Sequence, residues 1–257
     1  MLVVTSLDEL PKDFSFQDVI AVDVEGVDLG RNGKVSLISI CDNNMTFIFD
    51  VLDKSNDDPL ILFLKSVLEN ERIVKVIHDC RMDSDALFFH FDIDMQNVHD
   101  TQCWHNLISK QKECNLNDML VYYNKHPNVF RDAGKYMVDH EFWAIRPLSD
   151  ELKSWAVGDI SLLLDVHQSQ FKSLPWLLGQ AASNESLLKT RNMKIKEIQV
   201  QNVGIFIGKQ GRNIKKLKED TGTLIYPVDK RIYKKYRVYY NSEEDFQKVL
   251  RCAFRCQ

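Results

Sequence analysis

Asp23 and Glu25 stand two residues apart in DVIAVDVE, residues 18–25. On an extended strand alternate side chains share a face, so both carboxylates project to one side while Val22 and Val24 project to the other. Two carboxylates on one face repel unless a proton or a cation lies between them, and hard divalent ions are the usual partners of such oxygens. Alone, an Asp-x-Glu is weak evidence and reads more readily as a pair of solvated strand-end acids. Two further acids change the weighing. Asp83 begins a helix directly after the apolar run VKVIH, and Asp159 lies on a later helix with Trp155 four residues before it on the same face. If both helices meet the first strand at one sheet edge, the four acids can hold two Mg²⁺ or Mn²⁺ ions about 3.5–4 Å apart. That arrangement serves in-line displacement at a phosphodiester.

A second chemistry sits near the other end. In Ile207-Gly208-Lys209-Gln210-Gly211-Arg212-Asn213-Ile214 two glycines allow close backbone approach to a phosphate, and a helix begins directly afterwards with free N–H groups. Lys209 and Arg212 add positive charge.

The elements that must position these residues are legible. Strands are predicted at 18–25, 34–41 and 45–51 with short polar breaks, as an antiparallel meander. Asp57-Asp58-Pro59 opens an amphipathic helix. A buried strand at 73–78, a helix near 83–91 and a short strand at 97–99 follow, then mostly helix. Ser149 with Asp150 and Glu151 starts a long helix running to about 174. The fold class is therefore α/β, a mixed sheet with flanking helices, over residues 1–176. Residues 177–193 show no clear pattern and read as a linker with a turn of helix. A small α+β domain occupies 194–257: strand 194–201, helix 203–207, glycine turn 208–211, helix 212–220, strands 223–228 and 235–240, and a helix from 243.

The 257 residues are 44% apolar and 27% charged, suited to one large or two unequal globular domains. The net charge of −4 conceals two halves of opposite sign. Residues 194–257 carry 15 basic and 7 acidic side chains, against 18 and 30 before them, so the C-terminal module is the one suited to a polyanion. No apolar run approaches the ~20 residues of a membrane helix. The start, MLVVTSLDELPKDF, has no signal-peptide pattern, and six scattered cysteines suggest free thiols in a reducing compartment. The expectation is an intracellular protein, cytoplasmic or nuclear, with no membrane partner.

Four words, AVDVEG (21–26), KVIHDCRMDSDALF (75–88), NVHDTQ (97–102) and WAIRPLSDELKSWAVGDISLLL (143–164), resemble the DEDD superfamily of 3′–5′ exonucleases, in its ribonuclease D-like group with the Egalitarian-type proteins. The resemblance covers about residues 15–175 and implies a ribonuclease H-like fold. It assigns Asp23, Glu25, Asp83 and Asp159 as catalytic, metal-holding acids: Asp23, Glu25 and Asp159 around the water-activating ion, Asp23 bridging to the second, Asp83 near it. Asp83 is preferred to Asp85 because the family acid follows the strand-end histidine, here His78, by five positions. Asp79 and Asp100 read as capping acids, and His78 as a satisfied sheet-edge histidine.

One position departs from the family pattern. A Tyr four residues before the last Asp, or a His five before it, orients or deprotonates the attacking water; here those positions are Trp155 and Ser154. An indole has one N–H donor and neither an acceptor nor a titratable group. Such a loss costs roughly 10²–10⁴ in rate. Residues 194–255 resemble a type I KH domain, which implies that Gly208, Lys209, Gln210, Gly211 and Arg212 clamp the backbone of single-stranded RNA, or DNA. Ile205, Ile214 and Ile225 are groove or core, and Tyr226, Tyr233, Tyr236, Tyr239 and Tyr240 interleave with Lys230, Arg231, Lys234, Lys235 and Arg237 without establishing a stacking platform. The primary expectation is a two-metal 3′–5′ exonuclease acting on single-stranded RNA. The alternatives are an exonuclease fold with reduced or lost activity serving as an RNA-binding adaptor, and a KH scaffold with neither activity.

Overall fold

The computed structural model describes residues 1–111, 114–131, 141–228 and 234–254. The described residues fall into two compact units, one within residues 1–131 and 141–188 and the other within residues 189–254. The first unit contains a six-stranded sheet of order β1-β4-β3-β2-β5-β6. Its strands are β1 (Leu2–Val4), β2 (Val19–Val27), β3 (Lys34–Cys41), β4 (Thr46–Asp50), β5 (Val74–Ile77) and β6 (Val98–Asp100). The predicted meander is β2-β3-β4, antiparallel throughout, while β5 and β6 join β2 in parallel and β1 adds a parallel edge to β4. This mixed α/β sheet is the expected fold class.

Both faces of the sheet are covered. Ile20, Val22 and Val24 of β2 point into one core with Leu60, Ile61 and Leu64 of α1 (Pro59–Leu68) and Ala86, Leu87 and Phe91 of α2 (Arg81–Phe91). Ala21 of β2 and Val76 of β5 point into the other, against α4 (Leu116–Tyr122), α5 (Asp150–Ile160) and α6 (Leu163–Ser173). Alternation along β2 therefore assigns its even-numbered valines to the first core and leaves Asp23 and Glu25 on the second face, at the end where α5 crosses. Caps follow the sequence: Asp58 accepts from Leu60 N with Pro59 opening α1, and Ser149 accepts from Leu152 N at the start of α5.

Two expectations need correction. The single helix from 149 to about 174 is two helices, α5 and α6, separated at Ser161 and Leu162. The stretch 177–193 is largely a 13-residue helix, α7 (Trp176–Leu188), lying against β6 and α3 (Thr101–Ser109). Its buried face is Gly179, Ser183, Ser186 and Leu187, too small and polar to give an apolar period. Polar contacts replace hydrophobic ones there. Asp100 N donates to Ser183 Oγ (3.0 Å), Ser186 Oγ to Asp100 Oδ2 (3.1 Å), and Ser84 Oγ to the Leu187 carbonyl (2.9 Å).

The second unit pairs β7 (Lys194–Gln199), β9 (Lys235–Tyr240) and β8 (Leu224–Pro227) in an antiparallel sheet of order β7-β9-β8. Helices α8 (Val203–Ile207), α9 (Arg212–Thr221) and α10 (Glu243–Phe254) complete it. Phe206, Ile225, Tyr236, Val238, Tyr240 and Phe246 form its core. Tyr239 is also buried, so these tyrosines are structural; Tyr233, Lys230 and Arg231 lie outside the described residues. No helix among the described residues is long and apolar enough to cross a membrane.

A Cβ at position 179 would lie 2.0 Å from the ring of Trp104, which is itself fully buried. Gly179→Ala is expected to destabilise the first unit by about 1–3 kcal/mol through overpacking, read as a lowered midpoint in urea unfolding. An unchanged midpoint would show that α7 does not pack where described.

Candidate active site

The carboxylates are brought together by the way β2 outruns its parallel neighbour. β5 pairs with β2 only as far as Ala21 and Val76, so the Val24 N–H has no ladder partner on that side. Asp83, in the first turn of α2, supplies one: Val24 N donates to Asp83 Oδ1 at 3.1 Å in a buried contact. α2 is held in place for this by its next acid. Asp85, fully buried, accepts from the Arg31 backbone N at 2.8 Å and pairs with its guanidinium, which also lies 4.0 Å over the Phe89 ring. Asp83 thus faces β2, and Asp85 anchors the β2–β3 turn.

Asp23, Glu25 and Asp159 each offer a carboxylate oxygen within 4.8 Å of the others. Asp159 comes from α5 and is 3% exposed. Asp23 Oδ2 is buried and has no hydrogen-bond partner among the described residues. Asp83 lies beside this trio rather than within it. Burial, followed by the charge of Asp159, pushes Asp23 up to about 7, against the opposing pull of Arg131. Burial and then Asp23 push Glu25 and Asp83 well above the usual carboxylate range. The donor set is all oxygen, with more carboxylates than the one guanidinium of Arg131 can neutralise, and it fits a hard divalent cation.

Trp155 packs tilted against Phe142 and edge-on against Trp143, 5.6 Å and 5.5 Å between centroids, and its Nε1 donates to Asp159 Oδ2 at 3.0 Å. Two residues that the sequence pattern does not single out complete the pocket. Asn128 Nδ2 donates to Asp159 Oδ1 (2.8 Å) and to the Trp155 carbonyl (2.9 Å), and Arg131 Nη1 donates to Asp159 Oδ2 (3.0 Å). Asn117 fixes their loop by accepting from Asn128 N and donating to its carbonyl. Gly158 makes room: a Cβ there would lie 2.4 Å from the Asn128 amide. A glycine inside a helix costs about 1 kcal/mol against alanine, and that one residue was the signal available in the sequence.

Asp79, Asp100, His78 and His167 have local structural partners instead. Asp100 caps α3 and accepts from the backbone N of Asp79 and Cys80. Asp79 pairs with Arg81. His78 is bonded at both ring nitrogens, to Thr101 Oγ1 and the Cys114 carbonyl. His167 packs its ring edge against His99, 4.5 Å between centroids.

In the second unit the glycine loop has the backbone its sequence requires. Gly208 (φ +73), Gln210 (+55) and Gly211 (+74) are all left-handed. A Cβ on Gly208 would lie 2.6 Å from the Asn213 side chain, whose Nδ2 donates to the Ile205 carbonyl and ties α9 to α8. Beside the loop, Lys209, Arg212, Lys215 and Lys216 line a cleft of about 500 Å³ with Glu219 and Asp220. Ile205 is 54% exposed and Ile225 is core.

The family model for the 3′–5′ exonuclease domain matches residues 4–174, well over half of the chain. The chain belongs to the 3′–5′ exonuclease family. The KH-domain model matches residues 192–239, so a KH domain follows the exonuclease domain. An Egalitarian protein homolog from Caenorhabditis elegans is 30% identical over 172 residues, covering 61% of this chain and 29% of that protein. The piRNA biogenesis protein EXD1 of Bombyx mori is 25% identical over 199 residues, covering 75% and 63%. The chain thus spans less than two thirds of either relative. Among solved structures, Brucella melitensis NrnC with bound Mg²⁺ superposes with a TM-score of 0.60 at 17% identity, covering 73% of this chain and 90% of that one, which supports the fold.

The carboxylate cluster of the exonuclease domain predicts a pH signature. Asp23 is raised from 3.8 to about 7 in the fold, so between those values the folded state holds more protons than the unfolded chain. Its contribution to stability therefore falls as pH rises from about 4 to 7 and is flat above. In excess EDTA, Asp23→Asn should flatten that slope and unfold later than wild type at pH 8, by about 1–4 kcal/mol. A variant less stable than wild type at pH 8 would contradict the electrostatics described.

Proposed function

We propose that this chain is a metal-dependent 3′–5′ exonuclease of single-stranded nucleic acid, RNA first, whose KH domain binds the strand and whose hydrolytic rate is low. The observation that carries the metal reading is the buried, unpartnered Asp23 Oδ2 beside the oxygens of Glu25 and Asp159. The Mg²⁺ bound in the NrnC structure of the same fold supports it. Asp23, Glu25 and Asp159 would hold one Mg²⁺ or Mn²⁺ ion, and Asp23 with Asp83 a second. Ions bound there supply Lewis acidity and a water of lowered pKa.

The chain's own residues set the rest. Asp83 holds the Val24 backbone, and Asn128 fixes the orientation of Asp159. Trp155 cannot take a proton from water, because an indole has no acceptor, and it cannot donate to water either while its one N–H is spent on Asp159. In the KH domain, the left-handed glycine loop and Lys209 and Arg212 suit strand phosphates. The second reading, an RNA-binding adaptor with little or no hydrolysis, is favoured by the same Trp155–Asp159 bond.

Purified chain with 5′-labelled single-stranded RNA separates the two. An exonuclease gives a stepwise ladder with Mn²⁺ that Asp23→Asn abolishes, and Trp155→Tyr should raise the rate by about 10²-fold. Binding that weakens steeply with salt and leaves no ladder in either protein would establish the adaptor. Lys209→Ala combined with Arg212→Ala should lower RNA affinity and shallow its salt slope by about two charges; an unchanged slope would remove the KH loop from strand binding.

A further inference from the structure

Among the described residues, Asp159 is the member of the acidic trio whose carboxylate is met by several donors from the chain itself. Asn128 takes Oδ1, while Trp155 Nε1 and Arg131 Nη1 both take Oδ2. The three donors differ in kind. Asn128 and Trp155 are neutral, buried and fixed, one by the Asn117 clamp and the other by its aromatic neighbours. Arg131 is charged, its side chain is 44% exposed against 2% for Asp159, and it makes a one-point contact rather than a fork. Its positive charge also acts on Glu25 and Asp23. An exposed arginine held at one point can leave into water, and the two neutral donors cannot.

We propose that Arg131 is a displaceable counterion of the acidic pocket, neutralising it when no ion is bound and competing with a divalent cation for Asp159. It is a positioning residue for the ion-binding state, and it sets how tightly the pocket takes metal. The inference rests on the metal-site reading above. Its physical content is competition. While the guanidinium lies on Asp159 Oδ2, that oxygen already accepts two N–H groups and the pocket already contains a positive charge. Apparent ion affinity is then the intrinsic affinity multiplied by the fraction of molecules in which Arg131 has swung out. If that fraction is one in ten or less, removing the side chain tightens binding by about tenfold or more.

The test is Mn²⁺ binding to the full chain by titration calorimetry, with no nucleic acid present, in wild type, Arg131→Gln, Arg131→Lys and Arg131→Gln combined with Asp23→Asn. Arg131→Gln should bind Mn²⁺ about tenfold tighter than wild type, Arg131→Lys should fall between them, and the double variant should lose binding. Arg131→Gln should also melt below wild type in EDTA and gain more from added Mn²⁺. Equal or weaker Mn²⁺ binding by a folded Arg131→Gln, with binding by wild type, overturns the counterion role and leaves the metal site standing. Weakened binding of single-stranded RNA in EDTA with unchanged Mn²⁺ affinity would instead make Arg131 a phosphate ligand and overturn the proposal. No Mn²⁺ binding by wild type or any variant at millimolar ion overturns the metal-site reading and the proposal together.

Discussion

The arrangement at the end of β2 is dominated by one electrostatic constraint: carboxylates are gathered where water cannot fully screen them. Two unit charges under 5 Å apart repel by about 3–4 kcal/mol at the effective dielectric of a protein near its surface. Asp23, Glu25 and Asp159 lie within that range, with Asp83 adjoining. A fold does not accumulate such costs for packing, since apolar residues of the same volume would fill the space more favourably. Packing therefore does not explain the cluster, and its surroundings divide into groups that hold the acids still and groups that answer their charge.

Holding them still is done by backbone accounting more than by side-chain packing. β2 extends beyond β5, which leaves the Val24 N–H free for Asp83. The register shift between Glu25 and Gly26 falls directly after the second acid, so Asp23 and Glu25 remain on one face before the strand bends away. The Arg31–Asp85 pair then joins the turn after β2 to the same helix that carries Asp83. Farther along the sheet, Asp100 receives hydrogen bonds from the segment leading into α2, from α3 and from α7. Helix α2 is thereby fixed at both sides of the sheet edge, and with it the distance between Asp83 and Asp23.

Much of this was legible in the sequence, for reasons that can be stated residue by residue. The period of two in DVIAVDVE places Asp23 and Glu25 on one face whatever the rest of the chain does. Asp58-Pro59 and Ser149 mark helix starts because side-chain capping is local chemistry. The second unit follows its predicted element order closely, since the glycine loop fixes where α8 ends and α9 begins. What was not legible depends on contacts distant in sequence. Helix α7 buries serines and a glycine against Asp100 and Trp104, so no apolar stripe announces it. Asn128 and Arg131 lie in a loop whose path is set by Asn117, and nothing local says that a loop residue will meet a helix carboxylate 28 or 31 positions later.

Trp155 shows why residue type alone understates a departure from the family pattern. Its position, four residues before Asp159 on α5, aims the ring at that carboxylate in any helix. A tyrosine hydroxyl placed there can donate to one neighbour and accept from another, so it can bridge a carboxylate and a water. The indole N–H can only donate, and it donates to Asp159. The tryptophan therefore stands where the family pattern has a group that orients a reactant, and it immobilises Asp159 instead. Asn128, admitted by Gly158, reinforces the same acid from its other oxygen. The pocket that results is strongly preorganised on the side of Asp159 and has, at positions 154 and 155, neither the histidine nor the tyrosine of the family pattern to orient or deprotonate a water. Asp159 is thereby the acid whose two oxygens are already engaged, by Asn128, Trp155 and Arg131, while Asp23 and Glu25 beside it carry the raised pKa values that burial and mutual charge impose.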